Sequence, residues 1–177
     1  MRVRLPGSFY KRDVLELAPD LLGKKIVRSI DNEIIEHYIT EVEAYRGIED
    51  LACHACKGRT NRTEIMYAEG GHIYIYFIYG MYWMFNIVAG PKEIPQAVLI
   101  RSTNIISGPG RLSRELGLDK SFNGESLITS KRIWLEKGID VGKIVTSPRI
   151  GVDYSGEFWK NIEWRFTIGP WTIEDVP

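Results

Sequence analysis

The order of apolar and polar positions divides the chain into short segments, most of them alternating with a period of two. Lys25–Ile30 and Ile34–Val42 alternate well enough to be strands, with Asp31-Asn32 as the turn between them. His72–Ile78 and Tyr82–Ala89 read as two further strands around Gly80, and Ala97–Arg101 as another. Shorter strands are expected at Ile133–Glu136, Ile144–Thr146, Ile150–Val152 and Arg165–Ile168. Helical spacing is confined to two stretches. One is Asp13–Leu22, broken at Pro19; the other is Arg111–Leu116, opened by Gly108-Pro109-Gly110 and stopped by Gly117. Strands outnumber helices and no long crossover helix separates them, which argues against a doubly wound parallel sheet. The expected fold is α+β: a single compact domain over residues 1–177, with a curved, mostly antiparallel, barrel-like sheet and a few surrounding helices.

Composition narrows the picture. At 177 residues, 44% hydrophobic and 26% charged, the chain has enough apolar material for one core and is neither disordered nor collagenous. The uncharged run Ile73–Gly90 touches the lower length limit of a membrane helix, about 17 residues. It is rich in Tyr, Ile and Phe, holds Gly80 and Asn86 and lacks Leu, so it reads as β structure. The N-terminal segment has no signal-peptide pattern, and two cysteines are too few for a disulfide scaffold. A reducing cytoplasm, with no membrane association, is the expected setting.

Charge sums to zero but is unevenly placed. Residues 31–53 carry seven acidic side chains and one basic, whereas 54–120 carry eight basic and five acidic. That suits a carboxylate site framed by an anion-binding surface, and equally an ordinary solvated surface. Thr40-Glu41-Val42-Glu43-Ala44-Tyr45 puts two carboxylates at i and i+2, hence on one strand face that meets either solvent or a site. Cys53-His54-Ala55-Cys56 has a C-x-x-C spacing, but no second cysteine pair completes a zinc site, so no metal is expected. The loop 57–63 is polar and basic. In the fourteen residues from His72 to Phe85 seven are aromatic, and they occupy both faces of the strands. Some of these rings are then expected at the surface, where aromatics beside basic residues can stack on nucleobases. Ser107-Gly108-Pro109-Gly110-Arg111 offers amide groups at a helix start, a modest phosphate-binding signal.

In order, TEVEAYRGIEDLACHACKGRTNR, GHIYIYFIYGMYWMFNIV, AVLIRS, SGPGRL and RIGVDYSGE resemble the alkyladenine (3-methyladenine, methylpurine) DNA glycosylase family, over nearly the whole chain. The resemblance implies a monofunctional N-glycosylase, without cofactor, that flips a damaged purine out of double-stranded DNA and hydrolyses its glycosidic bond with water. Glu43 matches the general base, and Arg101 and the carbonyl of Val152 match groups that hold the water. Tyr45, His54 and Tyr76 match the residues that sandwich the base, and Asn86 the side chain that disfavours normal guanine. Tyr79 matches the residue inserted in the vacated stack, with Met81 and Tyr82 beside it, while Arg62 and Arg111 match positions near the DNA backbone. Alkylated or deaminated purines (3-methyladenine, 7-methylguanine, hypoxanthine, ethenoadenine) are the implied substrates and a monomer the implied state. The family's T-P-R-N loop reads Thr60-Asn61-Arg62-Thr63 here, and Glu41 is a candidate acid for the leaving purine. A basic face over 57–62 and 101–114, with weak binding at physiological salt, is expected. Two other readings remain: a non-catalytic module stacking bases on the Tyr-rich strand, and a hydrolase of free nucleosides.

Overall fold

A computed structural model describes residues 3–169. Its centre is an eight-stranded antiparallel sheet, curled into a half-barrel, in which β3-β4-β5-β2-β1-β6 run side by side. The strands are β1 (Lys25–Ile30), β2 (Glu33–Arg46), β3 (Ile73–Ile78), β4 (Tyr82–Val88), β5 (Gln96–Thr103), β6 (Ile133–Glu136), β7 (Ile144–Ser147) and β8 (Arg165–Ile168). Four short helices surround it: α1 (Gly7–Tyr10), α2 (Val14–Leu21), α3 (Pro109–Glu115) and α4 (Glu157–Asn161). The uncharged run 73–90 forms β3 and β4, and among the described residues no helix is long and apolar enough to cross a membrane.

β2 organises the sheet. Its first half pairs with β1 through a turn in which Asp31 and Asn32 both take positive φ, 49° and 68°. Asx residues tolerate that left-handed backbone, so the turn closes cheaply. Its second half pairs with β5 on one edge and with β8 on the other, so residues 41–43 lie in the middle of three strands. The β2–β5 register shifts twice, between Ile39 and Glu41 and again between Glu41 and Val42, which leaves Thr40 and Arg101 outside the regular pairing. Such bulges re-aim side chains.

Alternation along the strands then separates two apolar clusters. Ile39, Val42, Ala44, Ile73, Ile75, Phe85, Ile87, Val98 and Ile100 join the main core, onto which α2 packs. The other face carries a smaller cluster of Cys53, Ala55, Met66, Tyr74, Val88 and Ala97, with Tyr45 and Tyr76 against it. The candidate site stands on this second cluster.

Three expectations are corrected. α2 runs through Pro19 instead of breaking there, because Val14, Leu17, Ala18 and Leu21 are all fully buried on one face. Burial of three large aliphatic side chains, about 1.5–3 kcal/mol each, outweighs the roughly 3 kcal/mol cost of an interior proline. The strand beginning at Ile34 extends on to Arg46, held by β5 and β8. No strand forms at Ile150–Val152: Gly151 turns the chain at φ 76°, and the Ile150 amide bonds a side chain in place of a strand partner.

Candidate active site

A cavity of about 580 Å³ opens where β2, β3, β4 and β5 face the loops around residues 51–62 and 150–154. Tyr45, His54, Arg62, Tyr76, Tyr79, Asn86, Arg101 and Val152 all line it. So do Tyr74, Met66 and Tyr154, which the sequence reading did not single out. Tyr74 was legible in principle, since it lies two residues before Tyr76 and therefore on the same strand face.

Glu43 lies fully buried behind this wall. One oxygen, Oε1, accepts the Ile150 amide at 2.7 Å and lies 3.4 Å from Arg101 Nη1. The other, Oε2, accepts the Tyr45 hydroxyl at 2.8 Å. Burial raises the Glu43 pKa, while Arg101, the Ile150 amide and Tyr45 oppose that rise by favouring the carboxylate. Arg101 is itself held by Glu41, whose Oε1 accepts from its Nε at 2.9 Å. Glu41 also accepts from Ser102 Oγ at 2.6 Å and stands 3.4 Å from Arg165. Both Glu41 oxygens are so engaged, and the side chain braces the Arg101 guanidinium.

The aromatic walls are fixed by polar contacts at their edges. His54 Nδ1 bonds the Tyr74 hydroxyl at 2.9 Å, and its ring stands edge-on to Tyr76 with centroids 4.6 Å apart. Burial, reinforced by Arg62 and Lys57, lowers the His54 pKa to about 4, so the ring is neutral at physiological pH. Arg62 lies over the Tyr76 ring at 5.1 Å. The Asn86 amide donates to the carbonyls of Tyr74 and Met84, both at 3.1 Å, which clamps it in the wall. The side of Val152 lines the cavity, but its carbonyl accepts both the amide and the hydroxyl of Ser155, at 2.9 and 2.6 Å. Cys53 and Cys56 are free thiols of the wall, and burial pushes the Cys53 thiol up to about 12. Cys53 is therefore an inert packing group.

At the cavity edge the β3–β4 turn presents Tyr79 with φ 54°, 81% exposed, next to Gly80 at φ 65°. A bulky ring in the left-handed region costs roughly 1–2 kcal/mol, and exposure returns nothing from burial. Met81 is exposed beside it, whereas Tyr82 is half-buried under Arg114 and against Gly110. A side chain at Gly110 would stand 2.6 Å from the Tyr82 ring, so this glycine serves helix packing. Arg111 is exposed at the start of α3. The basic face is smaller than expected. Arg59 is spent on Glu64 and Glu93, and Arg101 turns inward to Glu41 and Glu43, leaving Lys57, Arg62, Arg111 and Arg114.

Residues 8–170 match the family described as methylpurine-DNA glycosylase. The chain belongs to that family. Relatives provisionally named 3-methyladenine DNA glycosylase include one from Borreliella burgdorferi, 44% identical over 90% of this chain and 93% of its own. Another, from Methanocella arvoryzae, is 41% identical over 92% and 90%. A third, from Natranaerobius thermophilus, is 37% identical over 94% and 96%. Membership makes the chain a DNA N-glycosylase, a hydrolase of N-glycosyl bonds acting in DNA repair, and DNA its substrate.

Proposed function

We propose that the cavity receives an alkylated or deaminated purine rotated out of duplex DNA, and that Glu43 activates the water that displaces it. The observation that carries this reading is the setting of Glu43: a carboxylate buried behind the aromatic wall of the cavity, bonded by Tyr45 and 3.4 Å from Arg101, both of which line that cavity. Burial moves its pKa toward the working pH, which strengthens it as a base, while Arg101 and the Ile150 amide keep it ionised. The same negative charge stabilises the positive sugar that develops as the bond breaks. Tyr45, His54 and Tyr76, all on the cavity wall, form the stack for the flipped base. Asn86, unable to swing away from its two carbonyls, walls off a purine 2-amino group. Val152 lines the cavity, with its carbonyl bonded to the amide and hydroxyl of Ser155.

Tyr79, held out at a conformational cost, fills the gap left by the flipped nucleotide, with Met81 alongside. Lys57, Arg62 and Arg111 meet phosphates. Hydrolysis by water leaves an abasic site without strand cleavage, so borohydride trapping is expected to give no covalent adduct.

The test is single-turnover base release from duplexes carrying 3-methyladenine or hypoxanthine. Release by the native protein, lost in Glu43→Gln, is the expected result. Tyr79→Asn, which suits the left-handed turn, is expected to slow release from duplex by about tenfold while leaving the melting temperature intact. Duplex binding without release by the native protein would favour a stacking module. Release from free nucleosides, indifferent to Tyr79, would favour a nucleosidase.

A further inference from the structure

Behind the cavity lies an ion pair that the proposed chemistry does not use. The side chains of Arg149 and Asp50 are both fully buried. Asp50 takes Arg149 Nη1 at 2.6 Å on one oxygen and Nη2 at 2.8 Å on the other, a two-pronged contact that a lysine cannot reproduce. Sequestering two charges in this way is a weak source of stability and often no better than an apolar pair of the same volume. What distinguishes the pair is where its other bonds go.

Arg149 Nη1 donates to the carbonyl of Ala44, which sits between Glu43 and Tyr45, and Nη2 donates to the carbonyl of Trp159. The guanidinium lies 4.8 Å from the Tyr45 ring and 5.2 Å from Trp164. Asp50 accepts the amides of Arg46 and Ala52, tying in the segment that leads to His54. The residue after Arg149 is Ile150, whose amide bonds Glu43.

We propose that the Arg149–Asp50 pair is a positioning device: it holds the Ile150 amide on Glu43 and the Tyr45 ring in the cavity wall, and so sets the geometry of water activation. This rests on the reading of Glu43 as the base. Around Glu43 stand Arg101 from β5, Glu41 and Tyr45 from its own strand, Tyr76 from β3 and Arg149 from the loop, with Arg165 of β8 acting on Glu41. Arg149 is the member whose removal takes away a cation and the support of an amide donor together.

The experiment measures single-turnover base release from a hypoxanthine duplex across pH. It compares the native chain, Glu43→Gln, Arg149→Gln, Arg149→Lys and Asp50→Asn, with thermal melts and binding to a duplex carrying a tetrahydrofuran abasic analogue. Arg149→Gln is expected to slow release by about a hundredfold with binding unchanged, and to move the acid limb of the rate profile up by about one pH unit. Asp50→Asn, which leaves Arg149 unneutralised, is expected to slow release and move that limb down. A purely structural role would lower the fraction of active protein and leave the midpoint alone. Native rate and midpoint in a folded Arg149→Gln overturn the proposal; if that variant does not fold, native values in Arg149→Lys and Asp50→Asn overturn it. Equal release by the native chain and Glu43→Gln overturns the base assignment and the proposal with it, a result distinguishable from loss of the Arg149 effect alone.

Discussion

The two halves of β2 are the same strand in different surroundings. From Glu33 to Tyr38 it pairs with β1, and its residues are mostly exposed or half-buried. From Glu41 to Glu43 it is clasped by β5 and β8, and Val42, Glu43 and Ala44 are buried in succession. Alternation alone would put every second residue in water. The difference teaches that Glu43 is buried where β2 runs between two strands and meets Arg101 and the Ile150 loop, a setting its own segment does not announce. A carboxylate in the first half would be an ordinary surface charge; in the second half burial raises its pKa.

The contrast is broken most severely at Glu43. Glu43→Gln is expected to reduce the single-turnover rate by about a thousandfold, in the range for loss of a general base. Glu41→Gln keeps the strand and removes only the brace on Arg101, so a loss of about tenfold is expected, read as a slower rate with unchanged duplex binding.

Stability should move the other way. The folded-state pKa of Glu43 is raised, so its contribution to stability is complete below the unfolded value near 4.5 and is lost as pH rises through the folded one. Glu43→Gln is therefore expected to melt higher than the native chain at neutral pH, with the gain fading toward pH 4.5. A native melting temperature equal to or above the variant's at pH 7 to 8 would contradict the burial argument. His54 has the opposite sign: its depressed pKa gives stability that is present above 6.5 and lost as pH falls toward about 4, and His54→Gln is expected to flatten that acid limb. At the exposed end of β2, Ile34→Thr is expected to change stability by less than about 0.5 kcal/mol and release not at all.

How much of this was legible follows from what is local. The β1–β2 and β3–β4 hairpins were readable because their turns and alternation lie within a few residues of one another. The α+β class followed from the excess of strands over helices. The role expected of Glu43 came from family resemblance; spacing alone left solvent and site both open. The neighbours of β2 were not readable, because β8 joins it from the far end of the chain. Nor was the Asp50–Arg149 contact, since neither residue stands in a pattern that marks it and the partners are 99 positions apart. Ile150 was taken for a strand residue because its apolar neighbours look like one, and only the turn at Gly151 shows why its amide is available to a side chain. Glu41 could be named only as a candidate acid, since a sequence cannot show that Arg101, Ser102 and Arg165 converge on it.

The clasp on β2 also has a consequence for synthesis. β1, β2 and β5 leave the ribosome well before β8, so a nascent chain can form the central hairpins while one edge of Glu43 is still open to water. In that interval the carboxylate has Tyr45 and Arg101 as partners but not yet the Ile150 amide. A chain released before residue 144 would carry Glu43 with Tyr45 and Arg101 beside it, and would lack both the Ile150 amide and the β8 edge of β2.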